Sequence, residues 1–139
     1  MKNIFKKVWS KLSKELDKNQ KRRKDGIDLK KLGVVLRPTN RFFESRAVLN
    51  PTCYQEGEFV HIFYRAIDNN NNSTIGYAKL KGPTKIVERK EIPIITCTYD
   101  YEKRGVEDPR ITKLGKTFYL TYVAHDGKNA LTAYATSHD

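Results

Sequence analysis

The string Gly105-Val106-Glu107-Asp108-Pro109-Arg110-Ile111 holds the densest chemistry in the chain. Two adjacent carboxylates are followed by a proline and an arginine. An aspartate that is buried, or that lies beside a second negative charge, holds its proton more tightly and can act as a general acid. Arg110 would instead favour the ionised carboxylate, with Glu107 as its ion-pair partner. From spacing alone an ordinary turn closed by a surface ion pair reads equally well. Asn50-Pro51-Thr52 and Tyr64-Arg65-Ala66 are the other candidates. Asn50 and Arg65 would offer sugar hydroxyls the paired donors and acceptors they need, and read blandly they are a turn former and a strand-end surface residue. His61 and His125 lack a second ligand at metal spacing, so both are expected to be structural and no metal site is expected. The chain has no Gly-rich phosphate loop, no Ser or Cys nucleophile signature and no zinc motif.

The elements that position these residues read as short strands. Residues 59–64 alternate after the turn signal Glu56-Gly57-Glu58, and 74–78 form the returning strand beyond the polar loop 69–72. Residues 117–122 follow Leu114-Gly115-Lys116 in the same manner, with 131–135 returning after Asp126-Gly127-Lys128-Asn129. The two stretches superpose at an offset of 58 residues: Asn50-Pro51 falls on Asp108-Pro109, Gly57 on Gly115, Tyr64 on Tyr122, Ala66 on Ala124 and Asp68 on Asp126. A repeat of several strands at this period is the sequence form of a β-propeller blade. The Glu-Asp-Pro-Arg string is expected just before a strand, in a loop facing the central channel. Propellers close with about four to eight blades, and about two are expected here, so the chain is expected to be the first part of a longer protein.

The charge sits elsewhere. The chain of 139 residues has a formal net charge of +11, and residues 1–31 hold twelve Lys and Arg against four acids. The remainder is close to balanced, which argues against a nucleic-acid-binding face on the body. Ile4, Phe5, Val8, Trp9, Leu12 and Leu16 recur at helical spacing, so residues 1–31 are expected to form a basic amphipathic helical arm. Such an arm would pack on the body or on a second subunit, or lie on an anionic membrane surface. No apolar run is long enough to cross a membrane, and none near the start has the form of a secretory signal. Two cysteines, Cys53 and Cys97, are too few for a disulfide scaffold, and a cytoplasmic setting is expected.

The combination of Asn50-Pro51, Tyr64-Arg65-Ala66, residues 73–78 (Ser-Thr-Ile-Gly-Tyr-Ala) and the Glu-Asp-Pro-Arg string resembles glycoside hydrolase family 130 over residues 35–139. The resemblance implies an all-β fold, the opening blades of a five-bladed propeller over 32–139, preceded by the arm. It implies inverting β-mannoside phosphorylases, which use inorganic phosphate to release α-mannose 1-phosphate, or β-mannosidases. Asp108 would be the general acid, Asn50 and Arg65 would line the mannosyl subsite, and Glu107 and Arg110 would brace the loop, with Arg110 near sugar or phosphate. No cofactor is implied beyond phosphate as co-substrate, and the partner would be a β-mannoside. The family's phosphate-binding residues fall in later blades, so the 139-residue chain alone is expected to be inactive. A non-catalytic carbohydrate-binding or interaction module is the rival reading.

Overall fold

A computed structural model describes residues 29–139 together with Ser10, Lys11 and Lys14. The chain divides into two compact units, Met1–Leu32 and Gly33–Asp139. The expected helical arm lies almost wholly outside the described residues. The second unit is all-β. Its strands are β1 (Ala47–Glu56), β2 (Phe59–Ile67), β3 (Ser73–Lys81), β4 (Lys85–Arg89), β5 (Gly105–Leu114), β6 (Thr117–His125) and β7 (Ala130–Ser137). They lie in the order β1-β2-β3-β5-β6-β7, with β4 paired to β3.

Two antiparallel meanders make up this sheet, and they repeat one design. The two-residue turns between β1 and β2 and between β5 and β6 begin at Gly57 (φ 58°) and Gly115 (φ 61°), a backbone region that side chains with a Cβ disfavour. The next turns are closed by aspartates. Asp68 Oδ1 accepts the N–H groups of Asn70 and Asn72, and Asp126 Oδ1 accepts those of Lys128 and Asn129, the Asx geometry that makes aspartate a turn residue. The meanders join at a parallel pair, Ser73 with Gly105.

Period-2 alternation gives β2 and β3 two buried faces. Phe63 and Ile75 face the second meander and pack with Val106, Leu120, Tyr122 and Ala124. Tyr64, Ala66 and Ala78 face the other way and pack under Phe43, Leu36 and Val48. Each meander is pinned by a buried glutamate in a short 3₁₀ turn, Phe42–Glu44 or Asp100–Glu102. Tyr64 Oη donates to Glu44 Oε2 at 2.6 Å, and Tyr122 Oη donates to Glu102 Oε1 at 2.6 Å. These pairs also stand 58 residues apart, so the repeat reaches further toward the N-terminus than the turn residues alone revealed.

The candidate strings differ from expectation in one respect. Asn50-Pro51 lies inside β1, and Glu107 to Ile111 lies inside β5, not in a loop before a strand. The register with β2 slips between Leu49 and Thr52, and with β6 between Glu107 and Arg110. One extra residue is accommodated at each slip, which makes a β-bulge. Proline has no N–H for the ladder and is tolerated in a strand at such a place.

Candidate functional site

The two bulges adjoin, and they carry the site. Asn50 and Asp108 both have left-handed backbones (φ 46° and 50°), a region in which Asn and Asp are the commonest non-glycine residues. Asn50 Nδ2 donates to Asp108 Oδ1 at 2.7 Å, linking equivalent positions of the two meanders. Arg65 enters from β2. Its Nη2 donates to Glu107 Oε1 at 2.6 Å, and its Nη1 stands 3.6 Å from Asp108 Oδ1. Its Nε donates to Ser73 Oγ at 2.9 Å. One guanidinium thus spans two neighbouring carboxylates, with an amide on the outer one.

Four of the five expected residues therefore meet: Asn50, Arg65, Glu107 and Asp108. Arg110 does not join them. It is exposed and its Nη1 donates to its own neighbour, the Pro109 carbonyl, at 2.7 Å. The expected Glu107–Arg110 pair is replaced by Glu107–Arg65, because Arg110 lies past the bulge, where the alternation of side chains resumes. The side chains of Arg65 and Glu107 are each 21% exposed, and that of Asp108 is 34% exposed. Half-exposed ion pairs stabilise a fold by at most about 1 kcal/mol, so the cluster's value is geometric. It presents a carboxylate, an amide and a guanidinium together at an accessible surface, the donor and acceptor set for a polyhydroxylated ring.

Ser73 is the member that the sequence reading missed. It opens the 73–78 string, but its contact with Arg65 is set where β3 meets β5, which no local pattern marks. The buried glutamates are perturbed as well. Burial opposes ionisation of Glu44, but hydrogen bonds from Thr39, Tyr64 and Arg89 outweigh it and hold the carboxyl below its usual range. Burial likewise opposes ionisation of Glu102, and Tyr122 with the N–H groups of Thr98 and Tyr99 outweighs it. Perturbed groups often mark function, yet here each glutamate is spent on anchoring a tyrosine. A cavity of about 770 Å³ opens beside Tyr54, His61, Tyr77 and Phe118, and Asp108 does not line it. His61 Nδ1 lies 2.9 Å from Tyr77 Oη, and His125 Nδ1 accepts the Gly127 N–H, so both rings have protein partners.

An all-β repeat thus sets an amide and two carboxylates on adjoining bulges of β1 and β5, with an arginine reaching them from β2. The family model for β-1,4-mannooligosaccharide phosphorylase matches residues 20–139. The chain belongs to glycoside hydrolase family 130. It is 34% identical over 102 residues to β-1,2-mannobiose phosphorylase of Thermoanaerobacter sp. (strain X514), covering 64% of this chain and 33% of that protein. It is 30% identical over 106 residues to the 1,2-β-oligomannan phosphorylase of the same organism, covering 69% and 36%. The chain thus spans about a third of the length of these relatives. Among solved structures, the β-1,2-mannobiose phosphorylase of Listeria innocua, in complex with β-1,2-mannobiose, superposes with a TM-score of 0.60 at 16% identity. That match covers 75% of this chain and 44% of the other, and it speaks to the fold alone.

Proposed function

We propose that this chain supplies the opening blades of an inverting β-mannoside phosphorylase built on a five-bladed propeller, with Asp108 as general acid. The observation that carries the reading is the Asn50–Asp108–Arg65–Glu107 cluster at two adjoining bulges. Family membership and relatives named as mannoside phosphorylases support the substrate class. Asn50 and Arg65 hold the hydroxyls of the mannosyl ring. Asp108 gives its proton, relayed by a sugar hydroxyl, to the glycosidic oxygen as that oxygen leaves the anomeric carbon. Phosphate attacks the same carbon from the opposite face, and the product is α-mannose 1-phosphate. Because phosphate is the nucleophile, no protein base is needed, whereas hydrolysis needs one to activate water. Arg110 braces the β5 backbone through the Pro109 carbonyl. The enzyme works in a cytoplasmic setting and uses no cofactor besides the phosphate co-substrate.

The test is Asp108→Asn in the intact protein, assayed with a β-mannobiose and inorganic phosphate. Loss of a positioned general acid costs about 10²- to 10⁴-fold in rate, and mannoside affinity should change little. Unchanged turnover would remove Asp108 from the mechanism. Release of free mannose at the same rate without phosphate would replace phosphorolysis by hydrolysis. Saturable mannoside binding without any product would favour the binding-module reading.

A further inference from the structure

We infer that Ser73 is a positioning residue, which acts on Asp108 through Arg65; the inference rests on the reading of Asp108 as the acid. Ser73 is fully buried at the start of β3, too deep to meet a substrate. Its hydroxyl accepts from Arg65 Nε at 2.9 Å, while the two ends of the same guanidinium meet Glu107 and Asp108. A guanidinium is a rigid planar fork. With Nη2 held by Glu107 alone, the plane can pivot about that contact. A second anchor at Nε fixes which way Nη1 points, and Nη1 is the corner nearest Asp108.

The seat of Ser73 is itself built for this. Ser73 and Gly105 are the parallel pair that joins the two meanders. A Cβ on Gly105 would stand 3.0 Å from Ser73 Cβ and 3.3 Å from Glu107 Oε1, and Gly105 has φ 154°. Glycine at 105 therefore lets Ser73 and Glu107 approach the same point, from where both reach Arg65. The hydrogen-bond chain runs from the β3–β5 junction through Ser73 and Arg65 to the carboxylates of β5. The backbone that joins the two meanders also sets the angle of the cation beside the acid.

The experiment is steady-state phosphorolysis of a β-mannobiose by the intact protein. Removing one hydrogen bond to a charged group should cost about tenfold, so Ser73→Ala is expected to lower kcat by that factor. KM is expected to rise by no more than about threefold, because Glu107 still tethers Nη2 while the plane turns and Ser73 touches no sugar. Arg65→Lys removes the Nε donor. In that background Ser73→Ala should change kcat less than about twofold, as expected for residues acting in one chain. Ser73→Cys, similar in size with a weaker acceptor, should fall between wild type and Ser73→Ala, and it serves if the alanine variant does not fold. The positioning role is overturned if Ser73→Ala keeps wild-type kcat, or if the full loss persists beside Arg65→Lys. Full turnover in Asp108→Asn would refute the acid assignment itself. A dead Asp108→Asn beside an indifferent Ser73→Ala would refute the positioning role alone.

Discussion

Gly76→Ala is expected to be among the most damaging single-methyl additions to this fold. Gly76 sits opposite Tyr64 in the β2–β3 ladder. A Cβ there would stand 2.5 Å from Tyr64 Cε2 and 2.7 Å from its Oη, with Cζ nearer still. The ring has nowhere to go, since Tyr64 is 1% exposed and packed among Phe43, Ala66 and Ala78. Overpacking of this kind costs about 1–3 kcal/mol. Moving the ring also pulls Tyr64 Oη off Glu44 Oε2, a hydrogen bond to a charged group worth about 1.5–3 kcal/mol. Alanine recovers about 0.5–1 kcal/mol by restricting the unfolded chain. The net loss is about 2–5 kcal/mol, which for a unit of this size lowers Tm by roughly 10–20 °C. Thermal and urea unfolding of the intact protein measure it, with the urea midpoint falling at constant slope. Ala133 faces Tyr122 at the matching place in the second meander, so Ala133→Gly should cost only about 1 kcal/mol. The reasoning is refuted if Gly76→Ala lies within about 0.5 kcal/mol of wild type, or if its cost survives in a Tyr64→Ala background, where the wall has been removed.

Removing the two tyrosine hydroxyls should have unequal effects. Tyr64→Phe takes from Arg89 Nε its 3.2 Å acceptor, but the guanidinium keeps Glu44 Oε2 at 2.8 Å and the Arg37 carbonyl at 2.9 Å, whereas Tyr122→Phe leaves Glu102 Oε1 with no other bond among the described residues, since both backbone donors go to Oε2. Tyr122→Phe is expected to cost about 2–3 kcal/mol and Tyr64→Phe about 1–2 kcal/mol by urea unfolding; the reverse order would contradict the network. Stability should be flat above about pH 5 and fall as the pH drops below about 4. Glu44 and Glu102 are held below the unfolded carboxylate value of about 4.3, so the unfolded state takes up protons first and the stabilisation is lost as pH falls through the folded values. Asp126, lowered to about 2 by the N–H groups of Asn129 and Lys128, extends the decline downward. A urea midpoint that rose toward acid would reverse the sign.

The centres of β2, β3, β6 and β7 are legible because each is a short run rich in apolar, aromatic and Thr residues bounded by turn signals. β1 and β5 are not, and the reason is local. Asn50-Pro51 and Asp108-Pro109 are strong turn signals, and the pattern cannot distinguish a turn from a bulge within a strand. β4, five residues with Lys85, Glu88 and Arg89 among them, has no apolar alternation to find. Asn50 and Asp108 are legible as counterparts through the 58-residue offset, and that offset also connects Glu44 with Glu102, a match hidden by dissimilar neighbours. Arg65 with Ser73 is a different case. The bond depends on two strands approaching at Gly105, and no periodicity encodes how closely separate meanders will meet.

The repeat accounts for why this side-chain cluster forms at the seam. Each meander carries a bulge at the same position, and each bulge holds a non-glycine residue in the left-handed region, a conformation that costs about 1–3 kcal/mol and concentrates at functional sites. Packing one meander against the next brings the two bulges into contact. Identical residues would defeat the arrangement: two carboxylates at the 2.7 Å separation of Asn50 Nδ2 and Asp108 Oδ1 could not both ionise, and two amides would leave no carboxylate beside Asn50. An amide in one meander and a carboxylate in the other let the first donate to the second, fixing Oδ1 toward Asn50. Arg65, from the strand beside the first bulge, then reaches the carboxylates of the second meander, while its counterpart at the same offset is the apolar Val123. The fold supplies two copies of one backbone device, and the divergence of two side-chain positions, 50 against 108 and 65 against 123, turns their contact into a directional site.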